Sequence, residues 1–227
     1  MQGKLIVFEG VEGVGKTTQI QKTRDWLESQ QIRPTRSIVT TREPGGTVLG
    51  KSLRQLLLDS HDQERIEPRT ELLLYAADRA QHVESLIKPL LNQGTIILCD
   101  RFTDSTLAYQ GYGRNLNLDL IYQLNQIATG GIQSDLTLWL DIDVEAGLAR
   151  SQARGALDRM EKADIDFHRR VERGFQDLAK AHPHRIIRID ASLSPELVNH
   201  QIQGVLAQWF KAWEISLRNY SDDYSGD

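Results

Sequence analysis

One cysteine, Cys99, stands in the whole chain of 227 residues, which excludes an intramolecular disulfide and any zinc site built on thiolates. It lies in Ile96-Ile97-Leu98-Cys99, where a small buried core residue is expected rather than a nucleophile. No apolar run reaches the length of a membrane-spanning helix, and the first, ending at Glu9, is shorter than a signal-peptide core. A cytoplasmic protein without membrane contact is expected. A formal charge of −4 leaves no excess of cations for broad binding to nucleic acid, so basic character has to be local. Internal repeats, low-complexity tracts and the guanine-reading N-K-x-D motif of GTPase switches are all missing. What remains is 40% hydrophobic and 26% charged, the ordinary composition of a globular chain. Its length suits one sizeable domain, with room for a small lid.

Against these absences stands one dense stretch, Gly3 to Thr18. Leu5-Ile6-Val7-Phe8 is an unbroken apolar run, suited to a strand covered on both faces. Gly10, Gly15, Lys16 and Thr17 then fill the fixed positions of G-x-x-x-x-G-K-S/T, with Gly13 between them. Glycines let successive backbone N–H groups turn inward onto a phosphate group. Lys16 brings a point charge to the phosphate oxygens, and the Thr17 hydroxyl suits a Mg²⁺ shell. The loop from Gly10 through Val11, Glu12, Gly13, Val14 and Gly15 to Lys16 and Thr17 is therefore expected to bind the phosphates of ATP.

The rest alternates short apolar runs with helical periodicity. Strands are expected at Ser37–Thr41, Thr95–Cys99, Leu136–Asp141 and Arg185–Asp190. Helices are expected at Thr18–Gln30, Leu49–Leu58, Glu67–Leu91, Leu116–Thr129, Val144–Arg154, Glu161–Ala181 and from Pro195 to Phe210. That order predicts an α/β fold of the P-loop NTPase type, a parallel five-stranded sheet with helices on both faces. Residues 1–218 are expected to form a single domain with an arginine-rich lid at about 150–160. The polar tail, 219–227, is expected to fray.

In such a sheet ligands bind beyond the carboxyl ends of the strands. Strand two ends at Arg42-Glu43-Pro44 and strand three at Asp100-Arg101-Phe102. Two arginines thus face the same mouth as the phosphate loop, a clamp for a second phosphate-bearing ligand; each alone reads equally as a solvated turn residue. Asp100 suits Mg²⁺ or its water, with a turn cap as the alternative. Glu12 is a carboxylate inside a phosphate cradle, so its side chain is expected to turn away toward an acceptor hydroxyl, or else to solvent. The segment RSQARGALDR carries Arg150, Arg154 and Arg159 around Gly155. It reads as a basic flap able to close over a triphosphate, or as a solvated helix end.

Five blocks, FEGVEGVGKTTQ, TREPGGT, LLLYAADRAQH, CDRFTDSTLAYQGYGR and ARGALDRME, in this order resemble the thymidylate kinase family, over Lys4 to about Phe210. The resemblance implies transfer of a phosphoryl group from ATP to dTMP with Mg²⁺, in dTTP biosynthesis, by a homodimer. Lys16 and Thr17 would hold ATP and Mg²⁺, Glu12 the 3′-hydroxyl of dTMP, and Arg42 and Arg101 its phosphate. It also implies that Tyr75 stacks on thymine, that Arg79 reaches its O4 edge, that Thr106 and Gln110 lie near the base, and that Tyr109 crowds the 2′ position. From the residues alone, Tyr75 reads as a core-facing helix residue and Arg79 as a solvated partner of Glu71 or Asp78. The loop itself has no arginine, so the resemblance is to members with the catalytic arginine in the lid. Arg154 is the first choice, with Arg150 near adenine. Tyr75 stands where many relatives carry phenylalanine, which leaves a hydroxyl needing a partner.

Overall fold

The computed structural model describes residues 2–30, 32, 36–59, 66–153, 155 and 158–217. Its centre is strand β1 (Lys4–Glu9), the second half of which runs between two parallel partners, β3 (Ile96–Asp100) and β4 (Leu136–Asp141). Outside them lie β2 (Ile38–Arg42) and β5 (Ile186–Asp190), which completes a parallel sheet in the order β2-β3-β1-β4-β5. Alternate side chains leave opposite faces of a strand. Leu5 and Val7 accordingly pack with Ile97, Cys99, Val83 and Ile87, while Ile6 and Phe8 join the larger core with Ile96, Leu98 and Leu138. All four residues Leu5 to Phe8 are fully buried, as their unbroken apolar run requires. Cys99 is buried as expected.

The chain crosses from β1 to β2 on one side and reaches β4 on the other, so the connections diverge beyond the carboxyl end of β1. That divergence opens the crevice where such sheets take ligands. Helix α1 (Lys16–Ser29) leaves this point directly. Helices α2 (Val48–Leu58) and α3 (Pro68–His82) follow β2. The single helix expected over Glu67–Leu91 is broken by a π-helical turn, Val83–Ile87, before α4 (Lys88–Asn92). Pro89 lies in the first turn of α4; without an N–H, and with a ring that crowds the preceding turn, it cannot extend a regular α-helix.

A helix over Thr103–Gly113 is an addition to the expected elements: α5 (Thr103–Thr106) runs into a π-helical stretch, Leu107–Gly113. Its first turn, Thr-Asp-Ser-Thr, is made of poor helix formers and is capped from far away. The Glu9 carboxylate accepts from the N–H groups of Phe102 and Ser105 at 2.9 and 3.1 Å and from the Ser105 hydroxyl at 2.5 Å. Helices α6 (Leu118–Thr129), α7 (Val144–Ala153), α8 (Ile165–Ala181) and α9 (Pro195–Ala212) complete the layers. Asn117, Asp164 and Ser194 cap three of them through their side chains. The N-terminus of α1 has no side-chain cap, because Gly15 stands there. Among the described residues, no helix is long and apolar enough to cross a membrane.

Candidate active site

A cavity of about 500 Å³ opens at the carboxyl ends of the strands, walled by the phosphate loop, the ends of β2 and β3, α2, α3, α5 and α7. On its β1 side the loop folds tightly, and Gly13 (φ 74°) passes so close to Gly147 that a Cβ would collide with that residue's carbonyl. The Lys16 ammonium donates to the carbonyls of Gly10 and Val11 at 2.9 and 3.0 Å. Burial, then the neighbouring Arg101, push the Lys16 pKa down. The uncapped N–H groups of α1 and this cation together form an anion seat.

Arg101 occupies the middle of the floor. Its backbone is left-handed, φ 69°, a conformation that costs a non-glycine residue on the order of 1–3 kcal/mol and that collects at functional positions. Its N–H donates to the Phe8 carbonyl at 3.0 Å, and its own carbonyl accepts from the Cys99 thiol at 3.1 Å. The guanidinium donates to Glu12 Oε1 at 2.5 Å, the Tyr109 hydroxyl at 3.0 Å, and Ser105 Oγ and the Gly10 carbonyl, both at 3.1 Å. The Tyr109 hydroxyl in turn donates to Glu12 Oε1 at 3.0 Å. Burial alone would raise the Glu12 pKa, but Arg101, Lys16 and the Tyr109 hydrogen bond bring it down to about 2. Glu12 therefore lies against Arg101, within reach of the Lys16 charge, and is not the solvent-facing loop residue the sequence left open.

Arg42 stands exposed at the end of β2, with no side-chain partner among the described residues, and lines the same cavity. Beside it is Arg54 of α2, which sequence reasoning did not single out. It donates to the Pro44 carbonyl at 3.0 Å, and burial, followed by Arg42, lowers its pKa. Two neighbouring arginines that repel each other, and for which no side-chain ion pair is formed among the described residues, suit an anion. The Asp100 and Asp158 charges offset part of that repulsion at Arg54. The Asp100 Oδ1 atom is buried without a hydrogen-bond partner, and the Thr17 hydroxyl is exposed on the same cavity wall. Those hard oxygens fit Mg²⁺. No cluster of three acidic, His or Cys side chains forms among the described residues, so phosphate and water oxygens would complete its shell.

On the far wall, Tyr75 is half-buried with its hydroxyl unpartnered among the described residues, and burial raises its pKa. Arg79 is not the solvated partner of Glu71 or Asp78 that the residues alone allowed. It is 2% exposed. Its Nε donates to Glu43 at 2.8 Å, Nη1 to Thr106 and Asn125 at 2.8 Å each, and Nη2 to the Phe102 carbonyl at 3.0 Å. Four of five N–H groups are thereby committed, and one remains for the cavity. Glu43 is itself held by His82, which also bonds Thr41. Gln110 lines the cavity and donates to Glu71 at 2.8 Å.

Of the arginines in the segment expected to form a lid, Arg150 reaches the cavity wall from α7 and donates to the Ala191 carbonyl at 3.2 Å. Arg159 does not line the cavity but is held behind it: its Nε donates to the Leu57 carbonyl at 2.7 Å, and Nη2 pairs with Glu71 at 2.6 Å. Arg154 lies outside the described residues, as does the polar tail. The buried carboxylates Glu9 and Glu71 escaped sequence reasoning, because their partners lie far along the chain.

The family model for thymidylate kinase matches residues 8–202. A thymidylate kinase of Trichodesmium erythraeum is 61% identical over 224 residues, covering 94% of this chain and 99% of the relative. One of a Cyanothece species is 58% identical over 228 residues, covering 94% and 97%. The crystal structure of thymidylate kinase from Ehrlichia chaffeensis superposes with a TM-score of 0.72 at 36% identity, covering 91% of this chain and 99% of that one. With the phosphate loop, the arginine cluster and the folded frame all in agreement, the chain belongs to the thymidylate kinase family.

Proposed function

We propose that this cavity transfers the γ-phosphoryl group of ATP to a phosphate oxygen of dTMP, releasing ADP and dTDP, a step toward dTTP. The observation that carries the reading is the meeting of two anion seats in one cavity: the Lys16 loop on one side, and Arg42, Arg54 and Arg101 on the other. A kinase acting on a nucleoside has no use for the second seat. The acceptor oxygen is already anionic, so no strong base and no covalent intermediate are needed. The obstacle is repulsion between two polyanions, and positioned cations lower it.

In this reading Gly10 to Thr17 and the start of α1 cradle the ATP phosphates, and Arg150 lies beside adenine. Thr17 and Asp100 would hold Mg²⁺, which when bound neutralises phosphate charge. Arg42 and Arg101 grip the dTMP phosphate, Glu12 accepts from its 3′-hydroxyl, and Tyr109 leaves no room for a 2′-hydroxyl. Tyr75 stacks on thymine, while Arg79 donates to O4 and Gln110 accepts from N3–H. Arg154 supplies charge to the transferring group, and closure of the lid excludes water. A second copy docks on the apolar residues that α2, α3 and α6 leave exposed, including Leu49, Leu56, Leu73 and Ile127; Leu72, Val83, Ile87 and Leu91 are spent on the monomer core. We assign the enzyme to the cytoplasm, where its charged substrates are found. Incubation with ATP, Mg²⁺ and dTMP, with products resolved by anion-exchange chromatography, is expected to yield ADP and dTDP in equal amounts. ADP without dTDP would make the site a hydrolase and refute the reading.

A further inference from the structure

Glu71, in the first turn of α3, is fully buried. Gln110 Nε2 donates to its Oε1 at 2.8 Å, Arg114 reaches its two oxygens at 3.3 and 3.2 Å, and Arg159 lies 2.6 Å from Oε2. Burial pushes its pKa up, but hydrogen bonds from Arg114 and Gln110, with the charges of Arg114 and Arg159, hold it below the ordinary carboxylate value. It is therefore ionised at neutral pH, and an ionised carboxylate only accepts hydrogen bonds.

That constraint falls on Gln110. The two ends of a glutamine amide are nearly equal in size and shape, so a protein must choose between them by hydrogen bonding. Facing Glu71, the Gln110 amide has one allowed orientation: its NH₂ toward the carboxylate and its Oε1 away from it. Gln110 lines the cavity, so the free end is the acceptor. Arg79, which lines the same cavity with one N–H uncommitted, is always a donor.

We infer that Glu71 is a specificity-determining positioning residue: by locking the Gln110 amide, it makes the base end of the cavity an acceptor beside a donor. The inference rests on the dTMP reading above. Thymine offers N3–H as donor and O4 as acceptor, matching both groups. Cytosine offers N3 as acceptor and an N4 amino donor, and mismatches both. Uracil carries the same edge as thymine, so the lock rejects dCMP and leaves dUMP untouched.

The rival role is that Glu71 merely anchors Arg159 and the wall around it. The test is the ratio of kcat/KM for dTMP to that for dCMP. In Glu71→Gln the new amide donates or accepts, so Gln110 is free to flip. The ratio is expected to fall about 10-fold or more, the scale of one mispaired hydrogen bond at a base edge. Glu71→Asp keeps an acceptor-only group, so it retains the ratio while both rates fall. An equal loss for both substrates in Glu71→Gln overturns the lock. If that variant does not fold, Gln110→Leu decides: without an amide to lock, an unchanged ratio equally overturns the inference. A wild-type enzyme indifferent between dTMP and dCMP would fail the dTMP reading itself. A selective wild type with an unaffected Glu71→Gln fails the lock alone.

Discussion

Glu12→Gln offers a way to weigh one hydrogen bond against the rest of the site. Both side-chain hydrogen bonds to its carboxylate among the described residues, from Arg101 Nη2 at 2.5 Å and the Tyr109 hydroxyl at 3.0 Å, fall on Oε1. Oε2 takes no hydrogen bond from a described side chain and, in the proposed reading, would be the oxygen left for the 3′-hydroxyl of dTMP. With a pKa of about 2, the carboxylate is charged at every working pH. A hydrogen bond to such a group is worth about 1.5–3 kcal/mol, and one to a neutral amide about 0.5–1.5. The Arg101 and Glu12 side chains are 15% and 19% exposed, so solvent screening favours the lower half of that range. The wild type is therefore expected to lose about 10- to 50-fold in kcat/KM when 3′-deoxy-dTMP replaces dTMP, and Glu12→Gln about 5- to 10-fold less than that. Any disturbance of Arg101 in the variant affects both substrates and cancels in the cycle. The assay is coupled ADP release with the four enzyme–substrate pairs. An equal penalty in both proteins would show that Glu12 does not hold the 3′-hydroxyl.

Arg154→Ala is expected to lower turnover by on the order of 10³-fold with little change in KM for dTMP; near-normal turnover in steady-state kinetics would move the role to Arg150. Burial, reinforced by Asp104 and opposed by Arg101, raises the Glu9 carboxyl from 4.5 to about 7. The folded chain then keeps a proton that the unfolded chain releases near 4.5, so this contribution is complete at low pH and is lost as pH rises toward 7. Asp78, raised to about 6, acts in the same direction. Glu9→Gln should flatten the decline of urea-unfolding stability between about pH 5 and about pH 8, and an unchanged slope would refute the assignment. Phe8→Ala, in a fully buried position of the central strand, should cost about 3–5 kcal/mol. A loss below about 1 kcal/mol in thermal unfolding would contradict the packing described for β1.

Local signals made much of this legible in the sequence. Leu5 to Phe8 announce a two-sided strand because nothing polar interrupts them, and the loop after it carries its chemistry in consecutive residues. Arg42 and Arg101 were reachable because each directly ends a strand. What depended on distant partners was hidden. Glu9 caps a helix that begins almost a hundred residues later, and without that cap the Thr- and Gly-rich stretch Thr103–Gly113 does not read as helical. Glu71 looks like an ordinary first-turn acid complementing the helix dipole, yet it binds side chains 39 and 43 residues further on. Arg79 shares its helical face with both polar and apolar residues, so periodicity alone cannot say whether it points at solvent or at Glu43. Arg54 sits in the amphipathic run KSLRQLLL, and its turn toward the Pro44 carbonyl depends on how α2 packs in the fold, beside α3.

The central claim is that two phosphate-bearing substrates meet at the ends of β1, β2 and β3. It is tested most directly by ADP release from ATP and Mg²⁺ with dTMP, dUMP, dCMP, UMP and thymidine offered in parallel. The account predicts that dTMP is strongly preferred, with thymidine inert because it gives Arg42 and Arg101 nothing to hold. Phosphorylation of thymidine in place of dTMP would contradict it.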